Sequence, residues 1–484
     1  MSRILLPISV LLPIVLGAAS YFIPFPNQRA HNRFVGISLV LSAVVVWCAA
    51  LWSSEQSVML LPLTDALDFT LKLDGAGKLF ACLSATLWPI TALYAFDYMS
   101  HEKNLKMFYS FFVMAFGATM GIAMAANMMT MYLFYELLTL STIPLVMHGL
   151  EHKNRRAARI YMGYSIGGAA FAFAGVVYLV IHGANDFVLG GHITTLSDST
   201  QGIILFLITF MGLGVKSALF PVHSWLPIAS VAPLPVTALL HAVAVVKAGA
   251  FALIRLVYYA FGTEFLKGTA AQTVAMLVCT FTILFGSVYA LKQPHFKRRL
   301  AYSTISNLAY ISFAVTLMSP AGLVAAFCHL IFHSVIKIGA FFCVGSVMHY
   351  SGKEYIRCLE GMGKKMPWTF GFFTVFALAL TGVPPLCGFF SKWYIGVAAV
   401  ECNTVPAVLG MAVLLLSALL TAIYMLTPII RAFFPANGAV EDLSGVKEAN
   451  WRMLVPIGLC AALCILLGVF VQQPLNWIEG VLGV

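Results

Sequence analysis

Gly214-Val-Lys-Ser-Ala-Leu-Phe-Pro-Val-His-Ser-Trp-Leu-Pro227, followed within ten residues by Thr237-Ala-Leu-Leu-His-Ala-Val-Ala-Val-Val-Lys247, is the stretch whose reading decides the fold. It sets Lys216 in an apolar helix, breaks that helix at Pro221 and Pro227, and opens a second apolar helix that carries His241 and Lys247. A charge at the centre of a membrane helix costs roughly 2.5–3.5 kcal/mol on insertion scales. Broken helices persist at that depth where they face protein or a watery cavity. A lone lysine of this kind snorkels to the interface; two flanking a break point to an ion or proton path.

The whole chain supports that setting. Of its 484 residues, 61% are hydrophobic and 10% charged, against about 25% charged in soluble domains. Runs of about 18–25 apolar residues predict fourteen membrane spans, at about 3–24, 34–53, 78–97, 107–126, 128–149, 159–182, 202–222, 233–260, 271–291, 299–318, 322–349, 367–397, 406–432 and 453–472. The chain reads as one domain, 1–484, all-α and polytopic. The apolar run after Arg3 reads as the first span, since it has no small-residue cleavage site and leads into further spans. The segment around Trp477 is too short to span again. The ten cysteines are scattered through apolar stretches with no CxxC, so they read as packing residues, with no cofactor or metal site implied.

The excess of 28 Lys and Arg over 18 Asp and Glu is a topology signal, which excludes a nucleic-acid partner. Nineteen basic residues fall in the connections between spans 1/2, 3/4, 5/6, 9/10, 11/12 and 13/14, among them Lys297 and Arg299; the opposite side has only Arg3, Lys72, Lys78 and Lys267, and the loop from Gly183 to Gln201 has none. The positive-inside rule makes the charged connections cytoplasmic and turns both termini outward, in a cell inner membrane.

Five basic residues remain, all inside spans: Lys216, Lys247, Arg255, Lys337 and Lys392. Glu136 is the one deep carboxylate and the natural counter-ion of a deep lysine. An amine taken out of water becomes a proton carrier near neutral pH; Arg255 is permanently charged and fits a helix end or an ion pair. Counted on a continuous helix, His241 and Lys247 lie about 240° apart, and His241 reads as a supporting packing residue. His329, His333 and Lys337 follow at i, i+4 and i+8, stacking on one face over about 12 Å, a spacing that suits a water-bridged relay. Histidines one turn apart on one helix cannot hold one haem between them. Span 12, Leu380-Thr-Gly-Val-Pro-Pro-Leu-Cys-Gly-Phe-Phe-Ser-Lys392-Trp-Tyr, repeats the combination of span 7: a lysine beside a proline break, here at Pro384, Pro385 and Gly388. Two broken spans five helices apart predict inverted repeats, spans 4–8 (about 107–260) and 9–13 (about 271–432).

These residues make the chain resemble the antiporter-like membrane subunits shared by respiratory complex I, Mrp-type Na⁺/H⁺ antiporters and group 4 membrane-bound hydrogenases. The matching stretches are Tyr135-Glu-Leu, Lys216 through Pro227, Leu240 through Gly249, Lys297 through Asn307, His329 through Lys337, and Gly388-Phe-Phe-Ser-Lys-Trp-Tyr. The wording is most similar to the D-type Mrp subunit. The resemblance implies fourteen helices, inverted five-helix repeats and a central hydrophilic axis carried by Glu136, Lys216, Lys247, His329, His333, Lys337 and Lys392. Two departures stand out. No long lateral helix follows span 14. Relatives often read Pro-Asp-Ala-His where this chain reads Pro227-Ile-Ala-Ser, which removes polar groups from the cytoplasmic mouth.

The function this implies is proton translocation by one subunit of a multisubunit membrane complex, among other membrane subunits, antiporter-like neighbours included, and lipid. No redox or hydrolytic site is expected in this chain, though the complex could be a translocating oxidoreductase. Sodium is disfavoured with a single deep carboxylate, although hydroxyls and carbonyls keep it open. The alternatives are a stand-alone secondary transporter, for which a substrate-shaped pocket would speak, and a quinone-reducing subunit, which would need a haem or flavin site.

Overall fold

The computed structural model describes residues 2–52, 56–64, 67–149, 151–192, 200–435 and 443–484. Residues 193–199 of the Gly183–Gln201 loop, which has no Lys or Arg, lie outside the described residues.

The chain begins with α1 (Ser2–Phe22), α2 (Gln28–Trp52), a hairpin of β1 (Val58–Thr64) and β2 (Leu67–Leu71), α3 (Gly75–Tyr98), α4 (Leu105–Ala123), α5 (Met128–Val146) and α6 (His152–Ile181). The broken region follows: α7 (Thr200–Gly214), α8 (Trp225–Ala229), α9 (Leu234–Ala242) and α10 (Val245–Ile254), which runs on as a π-helical stretch, Arg255–Phe261. Beyond the short α11 (Thr263–Leu266) come α12 (Ala270–Lys292), α13 (Phe296–Thr316) and α14 (Pro320–Ser351). The chain closes with α15 (Met362–Lys365), α16 (Pro367–Thr381), α17 (Cys387–Cys402), α18 (Val405–Phe433), α19 (Trp451–Val469) and α20 (Gln472–Leu482). Several starts follow from capping side chains: Asp74 accepts from Gly77 N at 2.9 Å, Asn127 from Thr130 N at 2.8 Å, and Ser319 from Gly322 N at 3.1 Å with Pro320 in the first turn.

Among the described residues, eleven helical stretches are long and apolar enough to cross a membrane, with Leu234–Phe261 taken as one. Predicted spans 7 and 12 fall on interrupted helices, and span 10 falls on α13, whose first turn carries Lys297, Arg298 and Arg299. Three details differ from the sequence reading. The chain is not wholly helical: β1 and β2 pair antiparallel, and Thr70 N donates to Thr130 Oγ1 at 3.0 Å. Only a short alternating segment marks this hairpin, because it lies on the loop face. Span 8 is not one helix but α9 and α10, parted at Val243 and Ala244, whose backbone leaves helical geometry. Lys297 and Arg299, counted above as loop charges, are buried; Lys297 Nζ donates to Ala232 O at 2.5 Å and Arg299 Nη1 to Tyr424 O at 3.0 Å. Ala232 O is freed between α8 and α9, and Tyr424 O is freed within α18 by Pro428, which has no N–H to offer it.

The stretch Leu234–Phe261 is wholly buried and Pro320–Ser351 nearly so. These segments form the axis. Outer helices such as α1, α2 and α18 expose Ile4, Ile37, Val40, Leu415 and Leu419, a surface that belongs in lipid. The connections gather at two ends. Leu71 bridges Ala125 and Asn127 bridges Asp186 on one face; His295 bridges Tyr355 on the other.

Candidate functional site

The break in span 7 frees backbone carbonyls that side chains then occupy, as buried polar groups require. Tyr135 donates its hydroxyl to Leu213 O at 3.0 Å, and Trp225 Nε1 donates to Val215 O at 2.7 Å. Lys216 leaves its own break and reaches α5. Its ammonium lies 3.3 Å from the centre of the Tyr135 ring, donates to Tyr135 O, and stands 3.8 Å from Glu136 Oε1. Lys216 is fully buried, whereas Glu136 is about a quarter exposed. The pair is therefore a loose one, in which the carboxylate has room to move. The Phe220–Pro221 and Pro384–Pro385 peptides are both cis.

A second group of residues joins α10 to α14. Gly249 lies against the backbone of Lys216, where a Cβ would sit 2.7 Å from Lys216 C. Two residues earlier, Lys247 Nζ lies 2.5 Å from His333 Nδ1. The His333 and His329 rings stack at 5.6 Å, and His329 Nδ1 meets Ser391 Oγ at 2.8 Å. Lys392, next in sequence, donates to Leu380 O at 2.5 Å and Thr381 O at 3.2 Å across the span 12 break. Gly382, at φ +96°, makes the turn that presents those carbonyls. The structure thus sets Lys247, His333, His329 and Ser391 in succession, with Lys392 beside Ser391 on α17. Beside Lys392 a groove of about 450 Å³ opens between Gly382, Trp393 and Leu415.

Two expected members sit elsewhere. Lys337, although one turn from His333, points to α13, donating to Leu300 O at 3.0 Å and Ser303 Oγ at 2.8 Å. His241 belongs to α9, so the 240° offset from Lys247 does not apply. Its ring packs 4.9 Å from Phe341, and neither ring nitrogen has a hydrogen-bond partner among the described residues. Arg255 forms a two-pronged pair with Asp74, at 2.5 and 2.6 Å, among Phe187, Phe251 and Tyr259. It is the ion pair that the sequence allowed. Sequence reasoning missed Ser391 and the ring of Tyr135, although each is next to a chosen residue. It also missed the α13 and α18 hydroxyls, whose three- and four-residue spacing was the available signal.

The mouth beside Pro227 and Ile228 keeps its polarity by other means. A cavity of about 520 Å³ there is lined by Lys153, Arg156, Gln293, Arg298 and Tyr302. Nearby, a cavity of about 690 Å³ reaches Glu102, His148, His295 and Lys297.

Fold and site together define a polytopic helical membrane protein with a buried chain of lysines and histidines. Residues 125–421 match the family described as NADH:quinone oxidoreductase/Mrp antiporter, TM. The chain belongs to that family. It is 34% identical over 398 residues to NADH-quinone oxidoreductase subunit N of Desulforudis audaxviator, covering 79% of this chain and 78% of that protein. It is 30% identical over 488 residues to a probable K(+)/H(+) antiporter subunit of Rhizobium meliloti, covering 98% of this chain but spanning only 48% of that relative's length. Two solved structures share the fold at TM-score 0.85. The Mrp complex from Dietzia is matched at 23% identity, over 99% of this chain and 52% of that one. The archaeal membrane-bound sulfane sulfur reductase is matched at 22%, over 98% and 96%.

Proposed function

We propose that this chain is a proton-translocating subunit of a multisubunit membrane complex, with its charged connections in the cytoplasm and both termini outside. The relatives' names support a subunit over a stand-alone transporter, and the two proline-broken spans with their lysines support inverted repeats of spans 4–8 and 9–13. A proton admitted from the charged face reaches Lys216. Glu136 holds it there while the two are close and releases it as they separate. It passes to Lys247, along His333 and His329, and leaves at Lys392, with Lys337 as a side store. A charge rearrangement in a neighbouring subunit supplies the drive, acting through a low-dielectric interior where charges are felt strongly.

The observation that carries this reading is the succession of neighbours from Lys247 to His333, across the stacked His333 and His329 rings, and on to Ser391 of Lys392's own helix. Each titratable group in it both takes and gives a proton. The test is proton transport by the intact complex in sealed vesicles. Lys216→Ala should abolish transport while the complex assembles; full transport in that variant would refute the reading.

A further inference from the structure

We propose that hydroxyls between α12, α13 and α18 form a second proton branch that runs from Lys337 towards Lys392 in parallel with the His333–His329 pair; this rests on the proposed function above. Its first half begins at Lys337, whose Nζ donates to Ser303 Oγ at 2.8 Å. Tyr424 OH donates to the same oxygen at 3.1 Å and meets Thr421 Oγ1 at 3.0 Å. The second half is a triangle of serines from three helices: Ser287 to Ser306 at 2.9 Å, Ser287 to Ser417 at 2.5 Å, and Ser306 to Ser417 at 3.2 Å. Tyr310 OH donates to Ser417 Oγ at 2.7 Å. The Tyr310 ring lies 5.4 Å from the His329 ring and 5.4 Å from Lys392 Nζ.

The halves are one helical turn apart on both α13 and α18, from Ser303 to Ser306 and from Ser417 to Thr421. A gap of about 5 Å of rise is closed by one bridging water or one side-chain swing. Every hydroxyl in the set both donates and accepts. A proton taken on one lone pair is matched by release of the group's own proton to the next oxygen, and rotation of the hydroxyls resets the chain. Lys337 bonds to α13 whereas His333, one turn away on α14, bonds to Lys247, so the branch shares no hydrogen bond with the His333–His329 pair.

The competing role is packing. Serines let helices approach, and a Cβ on Gly286 would sit 2.6 Å from Ser306 N. Interhelical hydroxyl bonds of that kind are individually weak. Packing accounts for the triangle. It does not account for a network anchored on a buried ammonium at one end and, at the other, on Tyr310, whose ring neighbours both His329 and Lys392.

The experiment measures proton transport by the intact complex in vesicles for His333→Ala, Ser417→Ala, the double variant and Lys216→Ala, with thermal stability of each. Tyr424→Phe is a second, gentler break in the branch. Parallel branches predict partial loss in each single variant and a fall to the Lys216→Ala level when His333→Ala is combined with Ser417→Ala or Tyr424→Phe, at unchanged assembly. If His333→Ala alone already reaches the Lys216→Ala level, or the double variants are no worse than His333→Ala, the branch is overturned while the main row stands. Full transport by Lys216→Ala would instead remove the underlying reading and this branch with it.

Discussion

The two broken spans share an architecture and differ in how they neutralise their lysine. At the first, Lys216 abandons its own break, whose carbonyls go to Tyr135 and Trp225, and takes its partners from α5, including the carboxylate of Glu136. At the second, Lys392 folds back onto Leu380 O and Thr381 O of its own break and has no carboxylate within ion-pair distance among the described residues. A lysine tied to another helix by an opposite charge responds when that helix moves. A lysine tied to its own broken end by carbonyl dipoles keeps the same partners throughout. On the proposed path the first serves as the switch and the second as the receiver.

The sharpest break of that comparison exchanges charge at the two sites. Glu136→Gln keeps the shape of the side chain and removes the charge that Lys216 faces. Transport in vesicles should fall to the level of Lys216→Ala, because a buried ammonium stripped of its counter-charge costs several kcal/mol. Lys392→Arg, by contrast, keeps the donor to Leu380 O and Thr381 O but cannot release a proton. The complex should assemble with thermal stability close to wild type and transport should be lost. Near wild-type transport in Lys392→Arg would mean that Lys392 carries no proton.

Much of this was legible in the sequence because charge is so rare in it. Five basic residues inside apolar spans and one deep acid left few ways to pair them, and the proline runs at Pro221 and Pro385 located the breaks. Directions of side chains were not legible. His329, His333 and Lys337 share a helical face by spacing, yet Lys337 turns to Ser303 because the last turn of that face meets the carbonyl of Leu300. The parting of α9 from α10 carries no proline or glycine at Val243 and Ala244, so periodicity ran straight through it and set His241 on the wrong helix. Lys297 and Arg299 resembled topology charges because only tertiary packing supplies the carbonyls that bury them.

A middle-sized effect separates the caps of the two breaks. Trp225→Phe keeps the aromatic bulk and deletes the N–H that serves Val215 O, leaving a buried carbonyl without its donor at a cost of about 1–3 kcal/mol. Gly382→Ala at the other break forces a side chain onto φ +96°, about 1–2 kcal/mol of strain, and sets its Cβ 3.4 Å from Lys392 Cδ. Both should lower the melting temperature in detergent by similar amounts. Only Gly382→Ala should also shift the carbonyls that hold Lys392, so its transport should fall further than that of Trp225→Phe; the reverse order would put the sensitive geometry at the first break.

The smallest effect lies at the charged mouth, outside either break. His295 stands just before α13 with no capping bond from its side chain, its Nε2 3.2 Å from Glu354 Oε2. Burial pushes its imidazole below the ordinary 6.5, and Glu354 offsets part of that. The unfolded chain therefore binds a proton at this position more readily than the folded one. The stabilising difference is full above the ordinary value and is lost as pH falls from there through the lowered value of the folded state, so acidification from about pH 7.5 to 5.5 disfavours the fold. In detergent, the melting temperature should drop slightly over that window, and the drop should be shallower in His295→Asn, which keeps a polar side chain and cannot titrate. His148, in the connection after α5, shares the direction of shift through burial, so part of the slope remains in the variant. An unchanged slope would assign the whole of it to other groups.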